Sequence, residues 1–356
     1  MSEAGPVGVR RRVIVGADVG GTSSKVAVGL AGGPVLSYRT GPGGNIRSSP
    51  GSVRANLAQT LTAALVAARA REPGLVADAI EVSGFFGMAG AGTGEPVREV
   101  LDVTAAAWAD AGLPGVPQVR GDLTIAYAAA AEAPDGMLLL SGTGAVACRV
   151  GVPDRVRGAI GPTRDPWAGL EVTTRCDGMG WILGDGGSAV WIGLAGLRAA
   201  AAQLDGRGPG TALTAAVLDW AGVPDGVEAR QALVVAVHSM APAQYGAVAP
   251  LVASLATAGD EVAGVIIADA VAALVGTAQV VADPTPAEIV LAGSLLTTDG
   301  PVRDGVRAAL ATGFPAALLR TAEMPVVGAL RLAAAEAGWP VGGPADLAAM
   351  VRAVAQ

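Results

Sequence analysis

Histidine is almost absent: His238 is the only one in 356 residues. A mechanism pairing a histidine base with a histidine metal ligand is therefore excluded, and acid–base work falls to a carboxylate, lysine, tyrosine or water. Cysteine is scarce too. Cys148 and Cys176 cannot by themselves build a disulfide framework or a four-thiolate metal site, and both read as reduced, small core residues. Aromatics make up 3% of the chain and the net charge is −7 with no basic stripe, which argues against a nucleic-acid partner. At the start, Arg10-Arg11-Arg12 runs directly into an apolar strand, without the apolar h-region and cleavage site of a leader.

Apolar residues, by contrast, reach 51% and the mean hydropathy is +0.49. Alanine and glycine inflate both figures. The most membrane-like stretch, Val262 to Ala282, carries Asp269 in its middle, whereas a spanning helix wants about 20 apolar residues with few or no charges. It reads as an amphipathic or buried helix. The expectation is a soluble, cytoplasmic protein with no membrane partner, long enough for two domains.

The most telling stretch is Val13 to Gly29. An apolar run, Val13–Ala17, enters Asp18-Val19-Gly20-Gly21-Thr22-Ser23-Ser24, and a second, Val26–Val28, leaves it. Two β-rich runs around a Gly/Ser/Thr segment predict a hairpin. Gly20 and Gly21 allow close backbone approach to a ligand, and consecutive N–H groups with the Thr22 and Ser23 hydroxyls make a concave anion site. Asp18 can hold a hydrated Mg²⁺ through oxygen. The segment lacks the Gly-x4-Gly-Lys-Ser/Thr pattern of the Walker-type loop, and a ligand-free Gly-rich hairpin fits it equally well.

Further along, Pro34–Arg39 reads as a strand, Gly41–Asn45 as a loop, and Val53 to Arg71 as a helix with Val53, Leu57, Leu61 and Leu65 on one face. Ala79–Ser83 predicts a strand, Gly87–Gly92 a turn, Val97–Ala111 a helix, Pro117–Arg120 a strand and Leu123–Glu132 a helix. The pattern then restarts, with strand Gly136–Leu140, turn Ser141-Gly142-Thr143-Gly144 and strand Ala145–Val150. That repeat of the opening hairpin suggests two phosphate loops. Asp165–Asp185 reads as mostly loop, Ser188–Leu204 as a helix, and the chain to Val281 as mostly helical; Glu288–Ala292 is a strand, and Val302–Leu310 and Leu347–Val354 are helices.

Asp122, between a strand and a helix, suits either an N-cap or the base that deprotonates an alcohol in phosphoryl transfer. Ser141–Gly144 offers N–H groups and hydroxyls to phosphate, or is a plain hairpin turn. Asp177–Ser188 holds five glycines and two aspartates in twelve residues. Such a stretch is suited to polyol recognition by carboxylates, or is a structural loop with Asp185 capping the next helix.

Taken in order, Gly-Ala-Asp-Val-Gly-Gly-Thr (16–22), Gly-Pro-Gly-Gly-Asn (41–45), Gly121-Asp122, Ser141–Gly144, Gly180-Trp181-x-x-Gly184-Asp185-x-Gly187-Ser188, Ala292-Gly293-Ser294 and Gly328-Ala329 resemble the N-acetylglucosamine kinase family. That family lies in the actin-like ATPase superfamily, with the activator ATPases of benzoyl-CoA reductase and 2-hydroxyacyl-CoA dehydratase. The resemblance spans residues 13–335. It implies an α/β, actin-like fold of two ribonuclease-H-like domains with the active site in the cleft between them. The domains are expected at 1–121, completed by a C-terminal helix at 345–356, and at 122–344.

The resemblance implies an ATP- and Mg²⁺-dependent kinase of an amino sugar, most simply N-acetylglucosamine, and a homodimer. Asp122 would take the proton from the C6 hydroxyl. Asn45 and Asp185 would bind sugar hydroxyls, with Gly90 and Gly178 near the sugar. Gly20, Gly21 and Thr22, with Ser23 and Lys25, would hold the transferred phosphate. Thr143 and Gly144 would hold the phosphates from the other side, Asp18 the Mg²⁺ through water, and Gly293, Ser294 and Gly328 the adenosine. Met179 departs from the pattern where relatives carry a Trp or His touching the sugar, as do Gly186 and Ala89. These departures leave glucosamine, N-acetylmuramic acid or a sugar-like cyclitol open as acceptors. An activator ATPase would need cluster-binding cysteines, which Cys148 and Cys176 match poorly, and a non-catalytic sensor would have no use for Asp122.

Overall fold

The structure is a computed structural model and describes residues 10–44, 51–75, 80–91, 97–154, 156 and 165–355. The chain forms two compact units, one of residues 1–136, 150–173 and 322–356, the other of 137–149 and 174–321. Each is built on a five-stranded sheet.

In the first unit the strands are β1 (Arg11–Val19), β2 (Ser23–Leu30), β3 (Val35–Pro42), β4 (Ile80–Met88) and β5 (Gln118–Gly121), in the order β3-β2-β1-β4-β5. β1 runs antiparallel to β2 and parallel to β4, which is parallel to β5. Side chains alternate across a strand, and both faces of β1 are covered, which explains its unbroken apolar run. Val13, Val15, Ala17 and Val19 share a core with Leu57, Leu61 and Leu65 of helix Val53–Arg71 and with Trp108 of helix Arg98–Asp110. On the opposite face, a Cβ at Gly16 would lie 2.6 Å from the backbone N of Leu330. Only glycine lets helix Pro325–Ala337 lie this close to the strand.

The second unit's strands are β6 (Gly136–Ser141), β7 (Ala145–Gly151), β8 (Glu171–Asp177), β9 (Glu288–Ala292) and β10 (Leu318–Ala322), ordered β10-β9-β6-β7-β8. Read from the other edge this is the first sheet again, each strand replaced by the one five places on, with β6 parallel to β9 as β1 is to β4. The repeat visible as two hairpins thus extends to a whole sheet. Helices Ala189–Leu204, Leu213–Trp220, Ala229–His238, Ala249–Thr257, Glu261–Val280 and Pro301–Gly313 complete this core. Glu261–Val280 is long and apolar enough to cross a membrane by length and composition. Its Ala263, Ile266, Ile267, Ala270, Leu274 and Ala278 form one buried stripe in the unit's core.

Three expectations are corrected. The first unit does not stop at residue 121, nor does it take back only 345–356; it runs to Gly136 and recovers the chain from Ala322. The physical reason is helix Pro325–Ala337. A Cβ at Gly328 would lie 1.9 Å from the Ile125 carbonyl oxygen, and Arg331 donates to the carbonyls of Ala128 and Ala131 while its guanidinium lies 4.2 Å from the Trp167 ring centroid. Helix Asp122–Ala128 is thereby fixed to the first unit. β4 also continues through Gly87-Met88, where a turn was expected; Gly84 and Gly87 are where Trp108 and Ile125 press on the strand, at 2.4 and 2.3 Å from a hypothetical Cβ. Finally, the expected loop 165–185 contains β8.

Candidate active site

The first Gly-rich hairpin forms as expected, with Asp18 paired to Lys25 and Val19 to Ser24. Across its tip the Gly20 N–H donates to the Ser23 carbonyl at 2.9 Å, and the Gly44 N–H donates to the Gly20 carbonyl at 3.0 Å. The chain at Gly43 lies against the tip so closely that a Cβ there would be 2.0 Å from the Gly21 oxygen. Gly21 and Thr22 are exposed. Asn45 follows directly but lies outside the described residues.

The parallel register aligns the C-terminal ends of three strands, Val19 opposite Met88 and Met88 opposite Gly121. The same sheet edge therefore carries Asp18, Gly20, Gly21, Thr22, Ser23, Gly90 and Asp122. The Ala89 N–H donates to the Val19 carbonyl at 2.9 Å, and Gly90 takes φ +81° to turn away. Asp122 opens helix Asp122–Ala128 right after β5, where a carboxylate also meets the positive end of the helix dipole. Asp18 falls on the Gly16 face of β1, the face that carries helices Pro325–Ala337 and Asp122–Ala128. Its carboxylate accepts from Lys25 Nζ at 3.0 Å. Lys25 is the chain's sole lysine among 24 basic residues. A carboxylate oxygen is a hard donor of the kind a largely hydrated Mg²⁺ takes together with phosphate oxygens, whereas the Lys25 ammonium is no ligand and competes with a cation for Asp18.

In the second unit the Ser141–Gly144 turn closes with the Gly142 N–H donating to the Gly144 carbonyl at 2.9 Å. Gly293, at φ +82° after β9, lies against it, since a Cβ there would be 2.3 Å from the Ser141 oxygen. Thr143, Gly144, Gly293 and Ser294 are thus neighbours. Gly328 belongs to the other unit, buried on helix Asp122–Ala128, and that packing accounts for its being glycine.

The Gly-rich loop after β8 joins the same turn. Ser141 Oγ donates to the Gly187 carbonyl at 3.1 Å and the Ala189 N–H to the Gly142 carbonyl at 2.8 Å. Asp185 is buried, and burial pushes its carboxyl above the ordinary range, opposed by N–H donors from Ala145 and Gly180 and reinforced by Asp177. Ser188 caps helix Ala189–Leu204 by accepting from the Trp191 N–H, so Asp185 is free of the capping role open to it in the sequence. Gly178 takes φ +70° beside Val146, and Met179 is exposed. In the sequence Asp177 stands out only as one of two loop carboxylates suited to polyol recognition; what sets it apart is a non-glycine φ of +64°, visible only in the backbone.

No family model and no curated protein matches the chain. Solved structures do. One from Chromobacterium violaceum, named for an inferred N-acetylglucosamine kinase activity, aligns over 92% of this chain and 99% of its own, with TM-score 0.66 and 22% identity. A similarly named Porphyromonas gingivalis structure aligns over 90% and 97%, with TM-score 0.64 and 18% identity. A ROK family transcriptional regulator, a homologue of the E. coli MLC protein, aligns over 97% and 82%, with TM-score 0.51 and 13% identity. At these identities the likeness is one of fold, and the chain has the actin-like ATPase fold that its motifs resemble.

Proposed function

We propose that this protein is an ATP-dependent sugar kinase that phosphorylates a primary, C6-type hydroxyl of an amino sugar, N-acetylglucosamine first among the acceptors. The observation that carries the reading is the gathering of a phosphate-cradling turn, Gly20–Thr22, with two carboxylates, Asp18 and Asp122, at the C-terminal edge of one parallel strand set. The fold it shares with two structures named for that activity supports it. Asp122 accepts the proton as the acceptor oxygen attacks the γ-phosphorus, the bond to the β-phosphate oxygen breaks, and ADP leaves. Gly20, Gly21, Thr22, Ser23 and Lys25 bind the transferred phosphoryl group, Thr143 and Gly144 the nucleotide phosphates, Gly293 and Ser294 the adenosine, and Asp185 an acceptor hydroxyl. Mg²⁺ at Asp18 would neutralise charge on the phosphates. The protein would act in the cytoplasm as a homodimer. Glucosamine, N-acetylmuramic acid and an aminocyclitol are the other acceptors to weigh, because Met179 and Gly186 alter the acceptor loop.

A coupled ADP-release assay with ATP–Mg²⁺ and these acceptors plus glucose tests the reading, with Asp122→Asn alongside. The expected result is turnover on an amino sugar that falls about 100-fold or more in the variant. Silence on every acceptor while nucleotide still binds would overturn it and favour a sensor.

A further inference from the structure

Among the described residues, Asp177 and Asp185 are the two non-glycine residues with positive φ, at +64° and +59°. They are interlocked. One Asp177 oxygen accepts the Asp185 N–H at 2.7 Å and, more weakly, the Met179 N–H at 3.5 Å; the other accepts the Gly186 N–H at 2.9 Å. A Cβ at Gly184 would lie 2.1 Å from the same Asp177 oxygen, so the carboxylate fills the space that makes residue 184 glycine. Arg175 donates to the carbonyls of Asp177 and Gly178, pinning the loop's entrance. Asp185, so held, sends its carboxylate to the second phosphate turn. It accepts from the Ala145 N–H and lies 2.9 Å from where a Gly144 Cβ would be.

We propose that Asp177 is a positioning residue: by gripping the N–H groups of Asp185 and Gly186 it aims the Asp185 carboxylate at the Ser141–Ala145 turn, coupling the acceptor loop to the nucleotide-phosphate turn. Glycine at 177 would adopt this backbone with less strain, so the aspartate is kept for its carboxylate. Two charge-assisted bonds to backbone N–H groups set the orientation of the next left-handed residue more firmly than neutral ones would. The coupling follows from the three links already described between turn and loop, at Ala145, Ser141 and Ala189. A shift of the loop on acceptor binding moves the N–H groups that face phosphate.

The functional half of this inference rests on the kinase reading; the geometric half does not, and the experiment separates them. Hydrogen–deuterium exchange on the full chain compares wild type, Asp177→Gly and Asp177→Asn, reading the amides of Ala145, Asp185 and Gly186. Asp177→Gly, which suits φ +64°, should raise exchange at all three by about 10-fold or more, and Asp177→Asn, which keeps an acceptor oxygen, by about threefold. On the sugar that wild type phosphorylates, Asp177→Gly should raise the acceptor KM about 10-fold with kcat within about threefold, and Asp177→Asn should restore most of it. Unchanged exchange at Ala145 in Asp177→Gly would overturn the coupling. Equal effects of the two variants, or uniform acceleration across the unit, would overturn the positioning role. If wild type phosphorylates no sugar, the kinase reading fails while the exchange data still decide the geometric claim.

Discussion

At the scale of single residues, Asp185 carries the clearest conflict between stability and task. Burial raises its carboxyl above the ordinary carboxylate range, more than the Ala145 and Gly180 N–H groups lower it. A carboxyl whose folded value exceeds its unfolded value binds its proton more tightly in the folded state. Its stabilising contribution is therefore complete below about pH 4 and is lost as pH rises through the raised value. Asp185→Asn removes this titration. Its melting temperature should lose the part of the wild-type decline that lies in that window, and at pH 7 it should equal or exceed wild type. Acceptor binding should nevertheless weaken about 10-fold, one charge-assisted hydrogen bond being lost. Thermal melts from pH 4 to 7 with binding measured at pH 7 check both parts. The two Gly-rich hairpins were legible because glycine, serine and threonine between apolar runs mark tight turns. The partner that orients Asp185 was not, since Asp177 looks like any loop acid until its left-handed backbone and three N–H donors are seen.

At the scale of elements, close backbone contact through glycine is what places the site. Helix Pro325–Ala337 meets β1 at Gly16 and helix Asp122–Ala128 at Gly328, where a Cβ would fall 2.6 and 1.9 Å from backbone atoms that cannot swing aside. Gly328→Ala should destabilise the protein by about 2–3 kcal/mol or displace the helix that begins at Asp122. Gly51→Ala, with nothing within 4 Å of the new Cβ, should stay within about 0.5 kcal/mol. Denaturant titrations of the two variants make the comparison. Helix Val53–Arg71 was readable at its full length because Val53, Leu57, Leu61 and Leu65 repeat on one face and Pro73-Gly74 ends it. β4 was cut short in the sequence reading for a related reason. Glycine normally punctuates, but Gly84 and Gly87 are thin places in a strand that two helices press upon. β8 escaped because its middle, Thr173 to Arg175, is exposed and shows no buried alternation.

At the scale of the whole molecule, the duplication was visible as two Gly/Thr hairpins, but the unit boundaries were not. They depend on which distant segment a helix chooses to lie on, and the choice is made by Gly16, Gly328 and Arg331, none of which marks a boundary locally. Removing residues 322–356 should uncover both β1 and helix Asp122–Ala128. In a truncated chain whose other tryptophans are replaced by phenylalanine, the fluorescence of Trp108, buried in the first unit, should then report an exposed indole and no sharp melting transition; Trp108 melting at the temperature of the equally substituted full chain would refute this. The same connectivity imposes a timetable during synthesis. Residues 137–149 and 174–321 are complete before 325–337 appear, so the second unit can close while the first still lacks the helix that covers Gly16. At roughly 5–20 residues per second, ribosomes need about 10–40 s to pass from 137 to 337. Through that interval the nascent chain leaves open the part of the first sheet that helix Pro325–Ala337 covers at Gly16, exposed apolar surface of the kind that chaperones bind.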